Sequence, residues 1–258
     1  MHYNNYMKNS FNELGYSKHL QVLDQKIITS AHKSALEIMQ KAQQRMASNP
    51  TAFNKSQLVR AINPHTMSLP ILNLLKSSSV GEIAAKLTNS KRIQVWGSQL
   101  YIKPPYSANS GVGFHTDFQY IECFEKDVLT AWIPLNDIPV DSGSLIYVSK
   151  SHEISDSIVH LIGAEQSNLK AQREHILNNT SANFRWHETV SDASVGDIFF
   201  HSYKTIHGSE ENKTPNARLA IAVGLLSDFS QVILEKDTYG YARNLDNPNI
   251  CPTIYAKQ

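Results

Sequence analysis

The sequence has few cysteines, no long apolar run and no excess of charge of either sign. Only Cys123 and Cys251 occur in 258 residues, which is too few for a disulfide framework and fits a reduced, intracellular setting. No apolar stretch approaches the roughly 20 residues of a membrane span, and the N-terminus lacks the basic-then-apolar order of a signal peptide. Lysine plus arginine number 24 and aspartate plus glutamate 23, so nothing favours a nucleic-acid or membrane partner. We therefore expect a cytoplasmic protein.

The first part of the chain carries the apolar periodicity of helices. From Ser17 to about Ser48, apolar residues recur every three or four positions, which predicts one long amphipathic helix that ends at Asn49-Pro50. A second helical region follows. It is predicted to start at Ser68 and to have a capping box over Ser79 to Glu82.

From Arg92 the apolar period changes to two, which is the period of a strand. One face of this first strand is predicted to carry Ile93, Val95, Gly97, Gln99 and Tyr101. Further strand-like runs cover residues 128–135, 144–148, 184–190, 197–200 and 218–226. The polar segment 153–180 interrupts these strands and predicts an insertion with one or two helices. The sequence is compatible with an insertion that covers the active site as a lid and with one that lies away from it.

Many short strands after a helical segment predict a mainly β fold with flanking α-helices. The architecture we expect is a double-sheet jelly roll, with the N-terminal helices packed outside. At this length a jelly roll forms one domain. We divide it into a mainly helical part (1–90), a jelly-roll core (91–230) that contains the insertion, and a turn-rich C-terminal tail (231–258).

Two histidines and an aspartate are candidate metal ligands. His115 and Asp117 are separated by one residue on an extended segment, so their side chains point the same way. His207 follows much later in the chain, and Arg218 lies after it in an apolar run. Two imidazoles and one carboxylate on one side of a metal form the facial triad of non-haem Fe(II) oxygenases. Each feature alone has an ordinary structural explanation, but their ordered combination favours a metal site.

In this combination the sequence resembles the phytanoyl-CoA dioxygenase-like family of Fe(II)/2-oxoglutarate oxygenases, from about Leu100 to Ser227. The matching motifs are His115-Thr116-Asp117, Leu129 to Asp137, Asp141 to Leu145, Ser149 to His152, Gly196 to His201, and His207-Gly208-Ser209 with Asn212, Lys213 and Arg218. The family's double-stranded β-helix, a cupin-like jelly roll, is the architecture predicted above. Lys150 departs from the family pattern, because glycine is common at that position of the turn.

The resemblance implies three cofactors or cosubstrates: Fe(II), 2-oxoglutarate and O₂. It makes His115, Asp117 and His207 the iron ligands, and it implies that 2-oxoglutarate chelates the metal. Arg218 is expected to bind the distal carboxylate of 2-oxoglutarate through two parallel hydrogen bonds. Additional cosubstrate contacts are expected from Ser209, Trp132, Thr130 and Gln99.

Aromatic and polar residues beside the ligands form the expected substrate wall. These residues are Phe118, Tyr120, Arg185, His201 and Tyr203, with Arg60 at the mouth of the pocket. The segment around Arg60, which also contains Asn63 and His65, has a second interpretation as a strand end and a turn. An Arg185 side chain in the interior would favour an anionic substrate, whereas an exterior one would say nothing about the charge of the substrate.

Asp117 also bears on the reaction type. In related halogenases this position holds a small residue that leaves room for a halide, so an aspartate favours hydroxylation of an unactivated C–H bond in a small metabolite. Desaturation and ring formation by the same oxidant remain open. Two other classes also remain open: a jelly-roll protein that binds a metal or ligand without turnover, and a redox-neutral cupin enzyme.

Overall fold

The computed structural model describes residues 10–47, 58–180 and 185–257, which contain two antiparallel β-sheets. The large sheet has the order β1 (Tyr16–His19), β9 (Ile198–Ser202), β6 (Val128–Pro134), β11 (Arg218–Ser227), β3 (Arg92–Lys103) and β13 (Thr253–Ala256), and β2 (Val59–Ile62) also pairs with β3. The small sheet has the order β4 (Val112–His115), β10 (His207–Ser209), β7 (Leu145–Val148) and β8 (Glu188–Ser191). A separate ribbon pairs β5 (Phe124–Glu125) with β12 (Gln231–Val232).

The two faces of the large sheet have different partners because successive side chains of a strand alternate. Ala131, Phe200 and Ile221 belong to a core that is shared with the helices. Trp132 and Phe199, one position along, pack instead in a cluster with residues of the small sheet. The sheets therefore form a sandwich with helices outside, and the predicted mainly β jelly roll is confirmed.

The helices flank this sandwich. They are α1 (Gln25–Ala47), α2 (Leu69–Leu75), α3 (Ser78–Thr88), α4 (Ser155–Ile158) and α5 (Leu169–Asn179). The first three contribute to the core on the outer face of the large sheet. Among the described residues, no helix combines the length and apolar character needed to cross a bilayer.

The predicted start of the long N-terminal helix at Ser17 is wrong. Residues Tyr16–His19 form β1, whose backbone pairs with β9 at the edge of the large sheet. The helix begins at Gln25, where a carboxylate oxygen of Asp24 accepts a hydrogen bond from the backbone N–H of Lys26 at 2.7 Å. Leu20 is 56% exposed and does not belong to the buried stripe. The helical spacing of apolar residues extends back to Leu20, but hydrogen bonds to the distant strand β9 make Tyr16–His19 a strand. The predicted end at Asn49-Pro50 lies outside the described residues.

The second helical region is confirmed in part. Ser68 caps α2, because its hydroxyl accepts a hydrogen bond from the Ile71 N–H at 3.3 Å. The capping box predicted over Ser79 to Glu82 is wrong, since α3 begins at Ser78. The hydroxyl of Ser79 donates to the carbonyl of Val22 at 2.6 Å and so ties α3 to the segment before α1.

A β-bulge in β3 changes which side chains face the interior of the sandwich. Gly97 pairs with Gly224 and Val95 pairs with Leu225, so Trp96 is the extra residue. Before the bulge, Val95 packs on the helix side; after it, Leu100 and Ile102 do so. Gln99 and Tyr101 therefore face the interior, and the prediction that they share a face with Ile93 and Val95 is wrong.

Segment 153–180 packs mainly behind the small sheet. Leu161, Leu169 and Ile176 form a core with Phe114 of β4. The Gln172 side chain accepts from the backbone N–H of Phe114 at 2.6 Å and donates to its carbonyl at 2.8 Å. These contacts place α5 behind the small sheet, whereas residues 159–164 contact Gln119 and Tyr120, which follow the candidate ligand Asp117.

The C-terminal tail closes one end of the sandwich. Tyr241, Ala242 and Leu245 pack in a cluster with Trp96 and Phe124. Beyond them, β13 pairs with the first part of β3. Cys251 is buried and forms no disulfide with another described residue.

Lys150, which stands where glycine is common in the family, lies in the turn after β7. This residue has φ 64° and ψ 8°, in the left-handed region. A side chain is unfavourable in that conformation and glycine adopts it freely. The backbone requirement explains why glycine is common there, and it does not involve the site.

Candidate active site

The three predicted ligands meet in the interior of the sandwich. His115 ends β4 and His207 begins β10, and the two residues are direct partners in the pairing of these strands. Asp117 follows two residues after His115 in a short 3₁₀ turn. One ligand atom from each of the three residues lies within 4.8 Å of the others. This spacing allows one ion to contact all three.

Hydrogen bonds orient each imidazole. His115 Nδ1 lies 2.7 Å from the Gly113 carbonyl, and His207 Nδ1 lies 3.0 Å from the Thr205 carbonyl. Because a carbonyl can only accept, each Nδ1 carries the hydrogen and each Nε2 keeps a free lone pair. Backbone carbonyls thus fix the tautomer in which Nε2 can bind a metal.

Two side chains occupy one oxygen of the Asp117 carboxylate. The Thr130 hydroxyl donates to Oδ2 at 2.6 Å, and His201 Nε2 lies 3.2 Å from the same atom. The other oxygen, Oδ1, faces His207 Nε2 at 3.8 Å. The carboxylate is therefore held with a single oxygen toward the two imidazoles.

A chain of contacts behind Asp117 fixes His201 in turn. His201 Nδ1 lies 3.2 Å from the hydroxyl of the fully buried Tyr147. The Tyr147 ring stacks on Tyr16, with ring centroids 4.7 Å apart and planes at 9°. His201 was predicted to be part of the substrate wall, but its contacts make it a positioning residue for the carboxylate.

The pKa shifts favour a metal-ready donor set. Burial lowers the pKa of His115 and places that of His207 well below its ordinary value. Burial alone would raise the pKa of Asp117, but the hydrogen bond from His201 and the neighbouring imidazoles hold it below its usual range. Two neutral imidazoles and one carboxylate are a donor set that Fe(II) accepts.

Two buried cations lie beside this cluster. Arg218 begins β11 and pairs directly with Lys103 at the end of β3, and their side chains are 2% and 0% exposed. Arg218 Nη2 donates to the Gly143 carbonyl at 3.0 Å, whereas its Nε has no partner in the described chain. Lys103 Nζ donates to the Ser209 hydroxyl at 2.7 Å and to the Glu210 carbonyl.

Neither cation forms an ion pair with a carboxylate of the described residues. Burial, reinforced by the neighbouring Arg218, lowers the pKa of Lys103 well below its ordinary value. Burial also lowers the pKa of Arg218 to about 10. Two desolvated cations without a counter-charge form a site for an anion.

Lys103 is a functional candidate that the sequence interpretation missed. It lies four residues after Gln99 and two after Tyr101, on the face of β3 that points inward. The signal that could have revealed it is a charged residue on that face, in phase with Gln99. The bulge at Trp96 hid this signal. Ile93 and Val95 face the helices, and strict alternation from them would place Lys103 on their face.

The other expected cosubstrate residues have these positions. The Trp132 ring lies under the Arg218 guanidinium at 5.1 Å, and the Ser209 hydroxyl contacts Lys103. Gln99 faces inward, and its Oε1 accepts from the Tyr101 hydroxyl at 2.7 Å. Thr130 was expected beside the cosubstrate, but its hydroxyl is directed to Asp117.

The expected substrate residues separate into interior and exterior ones. Phe118, Tyr120 and Tyr203 pack in the cluster at the tail-covered end of the sandwich. The Tyr120 ring lies 6.0 Å from the His115 ring. Arg185 is exposed and therefore carries no information about the substrate charge.

Arg60 is the member of its segment that remains available to a ligand. It is exposed and lies opposite Tyr101 in the pairing of β2 with β3. Asn63 accepts from the Ser98 N–H, and His65 bridges Ser98 and the Ile250 carbonyl. Asn63 and His65 thus join the edge of the sheet to the tail, as the strand-and-turn interpretation expects.

The antiparallel jelly roll thus carries an interior His-Asp-His cluster with the geometry of a metal site, next to a pair of buried basic residues. The sequence comparison is more specific. The chain matches the family model of phytanoyl-CoA dioxygenase (PhyH) over residues 11–220, and it belongs to that family. No curated protein matches it significantly in sequence.

Solved structures share the fold at low identity. The non-haem α-ketoglutarate-dependent carbocyclase SnoK from nogalamycin biosynthesis has a TM-score of 0.67 at 18% identity, covering 91% of this chain and 88% of its own. The epimerase SnoN from the same biosynthesis has a TM-score of 0.64 at 16% identity, covering 89% and 84%. EctD from S. alaskensis, with 2-oxoglutarate and 5-hydroxyectoine, has a TM-score of 0.66 at 15% identity, covering 92% and 82%.

The contact of His201 with Asp117 predicts an effect on metal affinity. His201→Leu removes the donor to Oδ2 and should weaken Mn(II) or Co(II) binding roughly 10- to 100-fold, the usual cost of losing such a partner. His201→Gln, which can still donate, should recover part of the loss. Calorimetric titration of the metal measures both, with the exposed His187→Leu as control. Equal affinities for His201→Leu and wild type would contradict this role.

The lowered pKa of Lys103 predicts that burial of this side chain destabilises the folded protein less as the pH rises. The unfolded chain holds this proton up to a pKa of 10.5, whereas the folded protein loses it at lower pH. The unfolded state therefore binds more protons in that window, and stability rises with pH by at most about 1.4 kcal/mol per unit. The unfolding free energy of wild type minus that of Lys103→Met, from urea titrations, should increase from neutral pH toward 10.5. A flat or falling difference would contradict the shift.

Proposed function

We propose that this protein is an Fe(II)/2-oxoglutarate-dependent oxygenase that oxidises a small molecule. The observation that carries the proposal is the juxtaposition of the His-Asp-His cluster with Arg218 and Lys103, two buried basic residues that form no ion pair among the described residues. One group fits a divalent metal and the other fits a carboxylate. A dicarboxylate that chelates the metal at one end satisfies both groups. A plain metal-binding protein or a redox-neutral cupin enzyme would not require the basic residues beside the metal.

The ligand roles follow from the free atoms. His115 and His207 would contribute Nε2, and Asp117 would contribute Oδ1, because the remaining polar atoms are held by protein partners. When bound, Fe(II) and 2-oxoglutarate would supply the oxidising chemistry, in which O₂ and 2-oxoglutarate are consumed and succinate and CO₂ are formed. The contacts from Thr130 and His201 keep Asp117 from chelating through both oxygens.

The cosubstrate roles follow from the cation pair. Arg218 offers Nε, which has no partner in the described part of the chain, and Lys103 offers a second basic group next to the Ser209 hydroxyl. Along β11, the interior positions after Arg218 are occupied by Ala220 and Ala222, whose small side chains leave room beside Trp132. This arrangement supports binding of the distal carboxylate at Arg218, Lys103 and Ser209.

Hydroxylation of an unactivated C–H bond is the outcome that Asp117 favours, since a carboxylate occupies the position that a halide would need. Desaturation or ring formation is the second outcome. Ring formation is supported by the fold shared with a carbocyclase. The structural relatives also support a small-molecule substrate. The two free, buried cysteines fit a cytoplasmic setting.

The proposal predicts the behaviour of Arg218→Ala. With Fe(II), 2-oxoglutarate and air, the wild-type protein should release succinate, and the variant should need 2-oxoglutarate at a concentration higher by on the order of 100-fold, the cost of losing a buried charge partner. Its Mn(II) affinity should stay unchanged, because Arg218 does not contact the cluster. Arg185→Ala, which removes an exposed arginine, is the matched control. A variant with unchanged dependence on 2-oxoglutarate would refute the assigned anchor.

A further inference from the structure

The side chain of Lys103 is 0% exposed, and its Nζ is enclosed by the segment that follows His207. The carbonyl oxygens of Ser209 and Glu210 and the hydroxyl oxygen of Ser209 all lie within hydrogen-bond distance of it. Gly143 packs against the same atom, because a Cβ at this residue would lie 2.9 Å from Nζ. The amine is therefore surrounded by protein atoms.

The three oxygen atoms around Nζ are compatible with a neutral amine. Two of them belong to carbonyl groups, which can only accept, and a neutral amine has two hydrogens to donate to them. The third belongs to the Ser209 hydroxyl, which can donate as well as accept and lies 2.7 Å from Nζ. This hydroxyl can direct its hydrogen to the lone pair of the amine. A neutral Lys103 thus makes full use of its hydrogen-bonding capacity without a counter-ion.

The charges around Lys103 also favour the neutral amine. Arg218 is its direct partner in the pairing of β11 with β3, and the Gly143 carbonyl accepts from Arg218 Nη2 at 3.0 Å, so Gly143 contacts both side chains. Burial and the charge of Arg218 lower the pKa of Lys103, whereas Glu210 and Glu211 raise it in part. Neither glutamate forms an ion pair with Lys103. Two adjacent buried positive charges are unfavourable, and loss of one proton removes this cost.

Two tyrosines near Arg218 bring no compensating charge. Burial raises the pKa of Tyr101 to about 12 and holds that of Tyr147 well above its ordinary value. Both phenols are therefore neutral at neutral pH. Arg218 keeps its charge there, although burial lowers its pKa to about 10.

A carboxylate bound beside the two basic residues would reverse this balance. Its negative charge favours the protonated amine. The ammonium group of Lys103 then donates to the Ser209 hydroxyl, which no longer gives its hydrogen to the amine and can donate it to the carboxylate. Lys103 and Ser209 thus have one hydrogen-bond arrangement without an anion and a different one with it.

We propose that Lys103 is a neutral amine in the protein without cosubstrate, and that binding of a dicarboxylate is coupled to uptake of one proton from solvent at its Nζ. One N–H bond forms in this step, and the Ser209 hydroxyl turns from Lys103 to the distal carboxylate. The inference rests on the proposed function, since it concerns the site assigned there to the distal carboxylate of 2-oxoglutarate. Lys103 is then the residue that makes the affinity for this cosubstrate depend on pH.

Isothermal titration calorimetry in buffers of different ionisation enthalpy counts the protons that are taken up on binding. The protein is loaded with Mn(II), kept anaerobic and titrated with 2-oxoglutarate from about pH 7 to about pH 9.5, below the ordinary lysine pKa of 10.5. The matched ligand is 2-oxopentanoate, which has the same chelating end and chain length but lacks the distal carboxylate. Both ligands are fully ionised in this range, and proton changes at the metal are common to both.

We expect 2-oxoglutarate to take up more protons than 2-oxopentanoate, with a difference that approaches one at its maximum. Because the protonated amine binds the anion better, the affinity for 2-oxoglutarate should fall as the pH rises, by at most about tenfold per unit. Lys103→Met should abolish both the difference in uptake and this additional pH dependence. Lys170→Met, which removes an exposed lysine, should retain both.

Equal proton uptake with the two keto acids in the wild-type protein would overturn the inference. A difference in uptake that survives in Lys103→Met would also overturn it, and Lys103→Gln, which keeps a polar group beside the two carbonyls, replaces that variant if it does not fold. Absence of any 2-oxoglutarate binding to protein with Mn(II) demonstrably bound would instead remove the proposed function on which the inference rests.

Discussion

The antiparallel pairing of β4 with β10 is the interaction on which the site depends. It places His115 directly opposite His207, with ring centroids 4.3 Å apart, although the two residues are far apart in sequence. Each ring is then fixed by a backbone carbonyl of its own strand segment. Asp117 needs more support because it lies in a turn, and Thr130 and His201 of the large sheet provide it. The sandwich therefore sets the geometry of the cluster from both sheets.

The interior is arranged as neighbouring regions of different polarity. Arg218 and Lys103 lie beside the small side chains of β11, and desolvation of two cations there is unfavourable unless an anion is bound. The tail-covered end is aromatic, with Trp96 and Tyr241 in contact. Thr130, which donates to Asp117, pairs with Gly224 under the Trp96 ring, so the aromatic end lies near the support of the metal cluster.

Much of this architecture follows from local rules in the sequence. The two-residue step from His115 to Asp117 gave their common direction, and strand periodicity gave the mainly β sandwich. What could not be predicted depends on long-range pairing. Residues Tyr16–His19 became a strand because β9 supplies their hydrogen bonds, and the bulge at Trp96 became visible only from its register with β11. The same bulge determines that Lys103 points inward. Contacts of His201 with Asp117 likewise join residues that no local pattern connects.

The central claim is that the His-Asp-His cluster and the Arg218–Lys103 pair together bind one metal-chelating dicarboxylate. The most direct measurement is an anaerobic titration of Fe(II)-loaded protein with 2-oxoglutarate, followed by visible spectroscopy, with His207→Ala as control. We expect a weak metal-to-ligand charge-transfer band in the wild-type protein and none in the control. No band in wild-type protein with Fe(II) demonstrably bound would contradict it.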